Sequence, residues 1–145
     1  MTRFSGGPAE SPGFLLWHAT LRWQRAMNAA LAPFDLTHPQ FVILTSASWL
    51  GRSGELPNQA RLSEFTGSDP RIVSEVTRRL LTKGLVERRT DAADARAKVL
   101  TVTAEGTEVA TAAVRAVEDA DAAFFASVPD DRLLAVLTPL AGRPA

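Results

Sequence analysis

The side chains best suited to chemistry in this sequence are hydrogen-bond donors rather than nucleophiles. Pro70, Arg71 and Ser74 stand just after Asp69, Arg78 follows one helical turn further on, and Arg96 and Lys98 lie downstream. Arginine makes paired hydrogen bonds to guanine, serine reaches a base or a phosphate, and lysine and arginine neutralise phosphate charge. The reagents of catalysis are missing. The 145-residue chain has no cysteine and two histidines far apart, His18 and His38, so disulfides, thiolate metal sites and cysteine redox sensing drop out together. No nucleophile beside a base, no metal cluster and no phosphate-cradling loop is visible, and Gly51-Arg52-Ser53-Gly54 reads as a connection. We therefore expect no enzyme, no metal and no cofactor.

Charge supports a nucleic-acid partner only once it is located. The net charge is zero, which for the whole chain argues against DNA. Residues 1–56 carry four basic and three acidic side chains, a balance of +1. Residues 57–98 carry nine basic and six acidic, +3, and residues 99–145 carry three basic and seven acidic, −4. Only a contacting face needs to attract phosphate, so a basic middle third fits a DNA footprint confined to one lobe.

The elements that must position these donors follow from periodicity. Gly13 to Phe34 reads as a long helix with two apolar stripes, one of Phe14, Trp17, His18 and Leu21, the other of Leu16, Trp23, Met27, Ala30 and Phe34. Two stripes suit a helix wedged into a dimer interface. After a turn at Asp35-Leu36, Thr37 caps a second helix reaching about Leu50. Asn58 caps a short helix with Ala60, Leu62 and Phe65 inward, Thr66-Gly67-Ser68 turns, and Asp69-Pro70 starts another helix. That helix is expected to bury Ile72, Val73, Val76, Leu80 and Leu81, to show Arg71, Ser74, Glu75 and Arg78, and to end at Gly84. Two strands, 85–90 and 98–103, flank a charged loop with Arg96 at its tip. Thr103 caps a helix to about Ala126, and Pro129-Asp130-Asp131 opens a last one bearing Leu133, Leu134, Leu137 and Leu140.

Helix, glycine turn, helix and hairpin form the winged helix-turn-helix order, whose second helix enters the major groove. Arg96 is placed to enter the minor groove from the wing. Gly84-Leu85-Val86-Glu87-Arg88-Arg89, then Asp91, Asp94, Ala95 and Arg96, then Leu100-Thr101-Val102-Thr103-Ala104-Glu105-Gly106, resembles the wing and following helix of MarR-family regulators. Leu36-Thr37-His38-Pro39-Gln40-Phe41-Val42-Ile43-Leu44 resembles the family's second helix, and Val73-Ser74 matches its recognition helix. The likeness runs from about Phe14 to Leu140.

The resemblance implies a mainly α fold with a small β-hairpin wing, in one domain over 1–145. Residues 57–103 would form the DNA-binding lobe, with 13–50 and 104–141 as dimerisation and core helices. It implies a homodimer on a pseudo-palindromic operator, a repressor released by a small aromatic or phenolic ligand, at work in the cytoplasm on the nucleoid. Two positions depart from the pattern. Ala93 stands where the wing often has arginine, and Glu75 where arginine often follows the recognition-helix serine; Glu75 is left to pair with an arginine or accept from a cytosine amino group. For a ligand, Trp17, His18, Trp23, His38 and Phe41 are the candidate pocket, although aromatic residues at helical spacing are more often plain core. A constitutive DNA-binding regulator and a winged-helix protein-interaction module are the competing readings. Residues 1–12 lack a hydrophobic region of signal-peptide type, and no apolar run approaches the roughly 20 residues of a membrane span.

Overall fold

The computed structural model describes residues 3–94, 96 and 98–142. Along the chain run α1 (Pro12–Leu31), α2 (His38–Arg52), α3 (Gln59–Thr66), α4 (Pro70–Thr82), β1 (Val86–Thr90), β2 (Lys98–Val102), α5 (Ala104–Phe125) and α6 (Asp130–Leu140). The expected mainly helical architecture with one hairpin is what the chain forms. No helix among the described residues is long and apolar enough to cross a membrane.

Most helix starts are fixed by side chains the sequence made legible. Thr37 accepts from the Gln40 amide at 3.3 Å while the Gln40 side chain accepts from the Thr37 amide at 3.3 Å. This reciprocal box satisfies two amides that a helix terminus otherwise leaves unpaired. Asn58 accepts from Arg61 N at 2.8 Å, and Asp69 from Arg71 N at 2.8 Å with Pro70 in the first turn. Thr103 joins two elements: its hydroxyl accepts from Gly106 N at 3.0 Å and donates to Gly84 O at 2.8 Å. Gly106 is glycine for lack of room, since a Cβ there would lie 2.0 Å from the Leu85 carbonyl oxygen. Gly84 at the end of α4 has φ +72°, a conformation that side chains with a Cβ resist.

The core gathers Met27 and Leu31 of α1, Ile43, Leu44 and Leu50 of α2, Leu62, Val73 and Leu80. Leu85, Val86 and Leu100 bring the hairpin in, and Ala110, Ala113 and Val117 bring α5. Each such leucine, isoleucine, valine or methionine contributes roughly 1.5–3 kcal/mol on burial. The hairpin is antiparallel with Val86 opposite Val102 and Thr90 opposite Lys98, and Leu100 N donates to Pro57 O at 2.8 Å, which ties its outer edge to the α2–α3 connection.

Ahead of α1, Gly7–Glu10 forms a 3-10 turn, with the Glu10 carboxylate accepting from Gly6 N at 2.9 Å. Three expectations need correcting. α1 starts at Pro12 and stops at Leu31, where Ala32–Phe34 tightens into a 3-10 turn around Pro33. Of its two stripes only Met27 is buried, while Phe14, Leu16 and Trp17 stay exposed and Leu31, outside both stripes, joins the core. Ala60 and Ile72, expected inward, face out, because Leu62, Val73 and Val76 already fill the interface of their helices and each sits on another side of its helix.

Candidate nucleic-acid interface

The α3–α4 corner is built as a rigid unit. Gly67 takes φ +72°, Ser63 Oγ donates to Ser68 O at 2.7 Å, and Thr66 Oγ1 donates to Ser68 Oγ at 2.9 Å. Small hydroxyl side chains that bond their own backbone suit such a turn. With the corner fixed, the face of α4 is set by its inward positions. Val73, Val76, Thr77 and Leu80 are buried, and Pro70, Arg71, Ser74, Glu75 and Arg78 are exposed together.

A cation outside the expected set of DNA contacts joins this face. Arg88 of β1 lines an open groove of about 510 Å³ with Pro70, Arg71, Ser74, Glu75 and Arg78. Strand alternation held the signal, since Arg88 shares the parity of buried Val86, on the side turned to α4. Arg89 falls on the other face and pairs with Glu87 at 3.8 Å. Among the described residues, none of Arg71, Arg78, Arg88 and Arg96 is held in an ion pair. Three uncommitted guanidinium groups around one groove, with Arg96 exposed on the wing, form a surface for a polyanion.

The wing is shaped by its aspartates. Asp91 Oδ1 accepts from Ala93 N at 2.9 Å and Asp94 Oδ1 from Arg96 N at 3.0 Å. Asp94 thus orients Arg96 through the backbone and leaves the exposed guanidinium unclaimed. Lys98 Nζ donates to Thr90 Oγ1 at 3.0 Å across the base of the wing. Ala95 and Ala97, which flank Arg96, lie outside the described residues.

The five candidate pocket residues do not converge. Trp23, His38 and Phe41 form one cluster, with the Trp23 ring edge-on to His38 at 5.0 Å and Phe41 stacked at 6.2 Å. Trp23 Nε1 donates to Asp121 of α5 at 2.7 Å. Burial lowers the His38 imidazole below its ordinary value, and nearby Asp121 opposes that only in part. Trp17 and His18 lie apart and exposed, with His18 against Phe14 at 4.4 Å. A cleft of about 580 Å³ opens elsewhere, between α2 and α5 with Phe65 at one end, lined by Trp49, Arg52, Arg115 and Glu118. Trp49 could have been noticed as the α2 aromatic off the buried face of Ile43, Leu44, Ala47 and Leu50; Arg115 comes from a helix far away in sequence.

Comparison with known proteins agrees with this geometry. The MarR family model matches residues 36–98. The HTH-type transcriptional regulator YdcH of Bacillus subtilis is 48% identical over 126 residues, covering 87% of this chain and 85% of its own. Among solved structures, CouR from Rhodococcus jostii RHA1 bound to p-coumaroyl-CoA superposes with a TM-score of 0.82 at 28% identity, over 94% of this chain and 93% of CouR. A mutant MarR from E. coli complexed with operator DNA gives 0.77 at 23% identity, over 90% and 91%; that likeness speaks to fold.

Proposed function

The chain belongs to the MarR family of DNA-binding transcriptional regulators, not to a family of enzymes, and from that premise we propose a homodimeric repressor whose hold on a pseudo-palindromic operator is relieved by a small aromatic ligand. The observation that carries the reading is the outward face of α4, where Arg71, Ser74 and Arg78 stand exposed beside Arg88. In this reading α4 lies in the major groove, Arg71 and Ser74 reach base edges, Arg78 and Lys98 meet phosphates, and Arg96 follows the minor groove. Dimerisation is supported by apolar side chains that the chain leaves uncovered at both ends, Phe14 and Trp17 on α1 and Leu134 and Leu140 on α6. The dimer would work on the nucleoid, in the cytoplasm.

For the ligand, the α2–α5 cleft is a better candidate than the aromatic cluster the sequence suggested. Its volume lies in the range of small-molecule sites, and it sets an indole beside two arginines, Arg52 and Arg115. A flat anion fits that chemistry, and CouR offers a precedent in a relative that binds an aromatic acyl-CoA.

Selection from a random DNA pool, followed by affinity measurements across a salt series, tests the core of the proposal. One enriched site with inverted-repeat symmetry is expected. Arg96→Ala should then flatten the salt dependence, while Arg71→Ala should cost on the order of 1–3 kcal/mol on that site and little on random DNA. No enrichment at all would turn the reading toward a protein-interaction module. Trp49 fluorescence, read in a chain with Trp17→Phe and Trp23→Phe, should respond to an aromatic acid that also releases the operator. A screen of such acids without either response would leave a constitutive regulator.

A further inference from the structure

Ile72 is the one large apolar side chain of α4 that is exposed. It is 50% exposed, although Val73, Val76, Thr77 and Leu80 on the same helix are at most 8% exposed. It is the third residue of α4, within the first turn that a recognition helix carries to base edges. Each residue rotates the helix by about 100°, which sets Ile72 to one side of the Arg71–Arg78 ridge. There it shares a groove with Glu75, Val76, Arg79 and Pro39.

Ile72 and Glu75 are themselves wrong for a phosphate, although Arg79 stands beside them. A branched aliphatic side chain has no donor to offer, and pressing it on an anion removes water without replacing it. Glu75, one turn further along, repels a phosphate outright and is in no ion pair among the described residues. Cations stand on both sides of this pair, Arg71, Arg78 and Arg88 in one groove and Arg79 in the other. The exposed face of α4 therefore mixes phosphate-attracting cations with two side chains, Ile72 and Glu75, that base edges can satisfy and phosphates cannot. Of the groups displayed in the major groove, the thymine C5-methyl is the apolar one, and the cytosine amino group is a donor that a carboxylate accepts.

We propose that Ile72 is a specificity-determining residue that packs on the C5-methyl of one thymine in each half-site, beside a base pair whose cytosine amino group meets Glu75. The proposal rests on the reading that α4 enters the major groove. It makes this stretch of the operator T-and-C-selective through contacts that carry no salt dependence.

The test pairs a protein change with the matching DNA change. The full chain is first used to recover its site from a random pool, and every thymine of that site is then replaced singly by deoxyuridine, which removes only the methyl. At one thymine per half-site the wild-type protein should lose about 3- to 10-fold in affinity. Ile72→Ala should show no further loss at that thymine, should keep the wild-type salt slope, and should melt at the wild-type temperature because the side chain lies on the surface. Ile72→Gln, a second variant, should recover a pool enriched in another base at that position. Identical deoxyuridine profiles for wild type and both variants would overturn the assignment while leaving operator binding intact. A pool that yields no enriched sequence would overturn the operator reading and this proposal with it.

Discussion

Between Asn58 and Thr103, Leu62, Val73, Leu80, Leu85 and Leu100 are buried inside one chain. At the outer helices the balance is reversed: Trp17 is 61% exposed and Leu140 69%, and α6 has no buried residue at all. Both regions are amphipathic in sequence, yet only the lobe finds its own cover. Its elements are joined by short connections with fixed corners, so each apolar face meets a neighbour close by in the chain. Among the described residues, the start of α1 and most of α6 are left exposed, with Leu133 half-buried. The lobe thus covers its own apolar faces, and the outer helices leave theirs open, which in the proposed homodimer a second copy would cover.

The sharpest way to break this comparison is at the junction that finishes the lobe. Gly106→Ala would drive a methyl into the Leu85 carbonyl and against Val102, and a loss of about 3 kcal/mol in denaturant unfolding is expected. An unchanged midpoint would mean that the α5–wing packing is not what completes the lobe. The outer region should respond differently. Trp17→Glu should weaken self-association by on the order of 2 kcal/mol, seen as dissociation in sedimentation at low concentration, with the helix content of the lobe retained. A variant that stays associated would remove α1 from the interface.

Smaller effects sharpen the contrast. Thr103→Ala loses the cap of α5 and the bond to Gly84 O, so about 1–2 kcal/mol is expected, with the wing the first segment to exchange its amide hydrogens. The smallest effect belongs to His38, which joins α2 to the Trp23–Asp121 pair. Its folded value is lowered from 6.5 by burial, so folding favours the neutral ring. Its contribution is present above pH 6.5 and is lost as pH falls through the lowered value. His38→Gln should flatten stability against pH on the acid side of 6.5 and leave it unaltered above.

Much of the fold could be read along the chain because its determinants are local. Thr37, Asn58, Asp69 and Thr103 cap the helices that follow them, and Gly67 and Gly84 turn where a Cβ resists. Alternation in 98–102 marked the second strand. The exposed polar face of α4 was legible for the same reason: Arg71, Ser74 and Arg78 lie opposite an apolar stripe on a single helix. Rotational detail was not. Ile72 and Val73 are both β-branched and adjacent, and nothing local says which one is buried. The pocket was the poorest reading, since an aromatic stripe does not reveal what lies across from it.

The sequence by itself determined the order of elements, the helix caps, the basic middle third and the family, all of which depend on neighbours a few residues apart. Tertiary structure alone decided that Arg88 joins the α4 face, that Arg115 crosses to Arg52 and Trp49, that Ile72 turns outward, and that Gly106 has no room for a methyl. Each of these depends on the distance between segments remote in sequence or on the rotation of one helix against its neighbours, and that is fixed only when the whole core is packed.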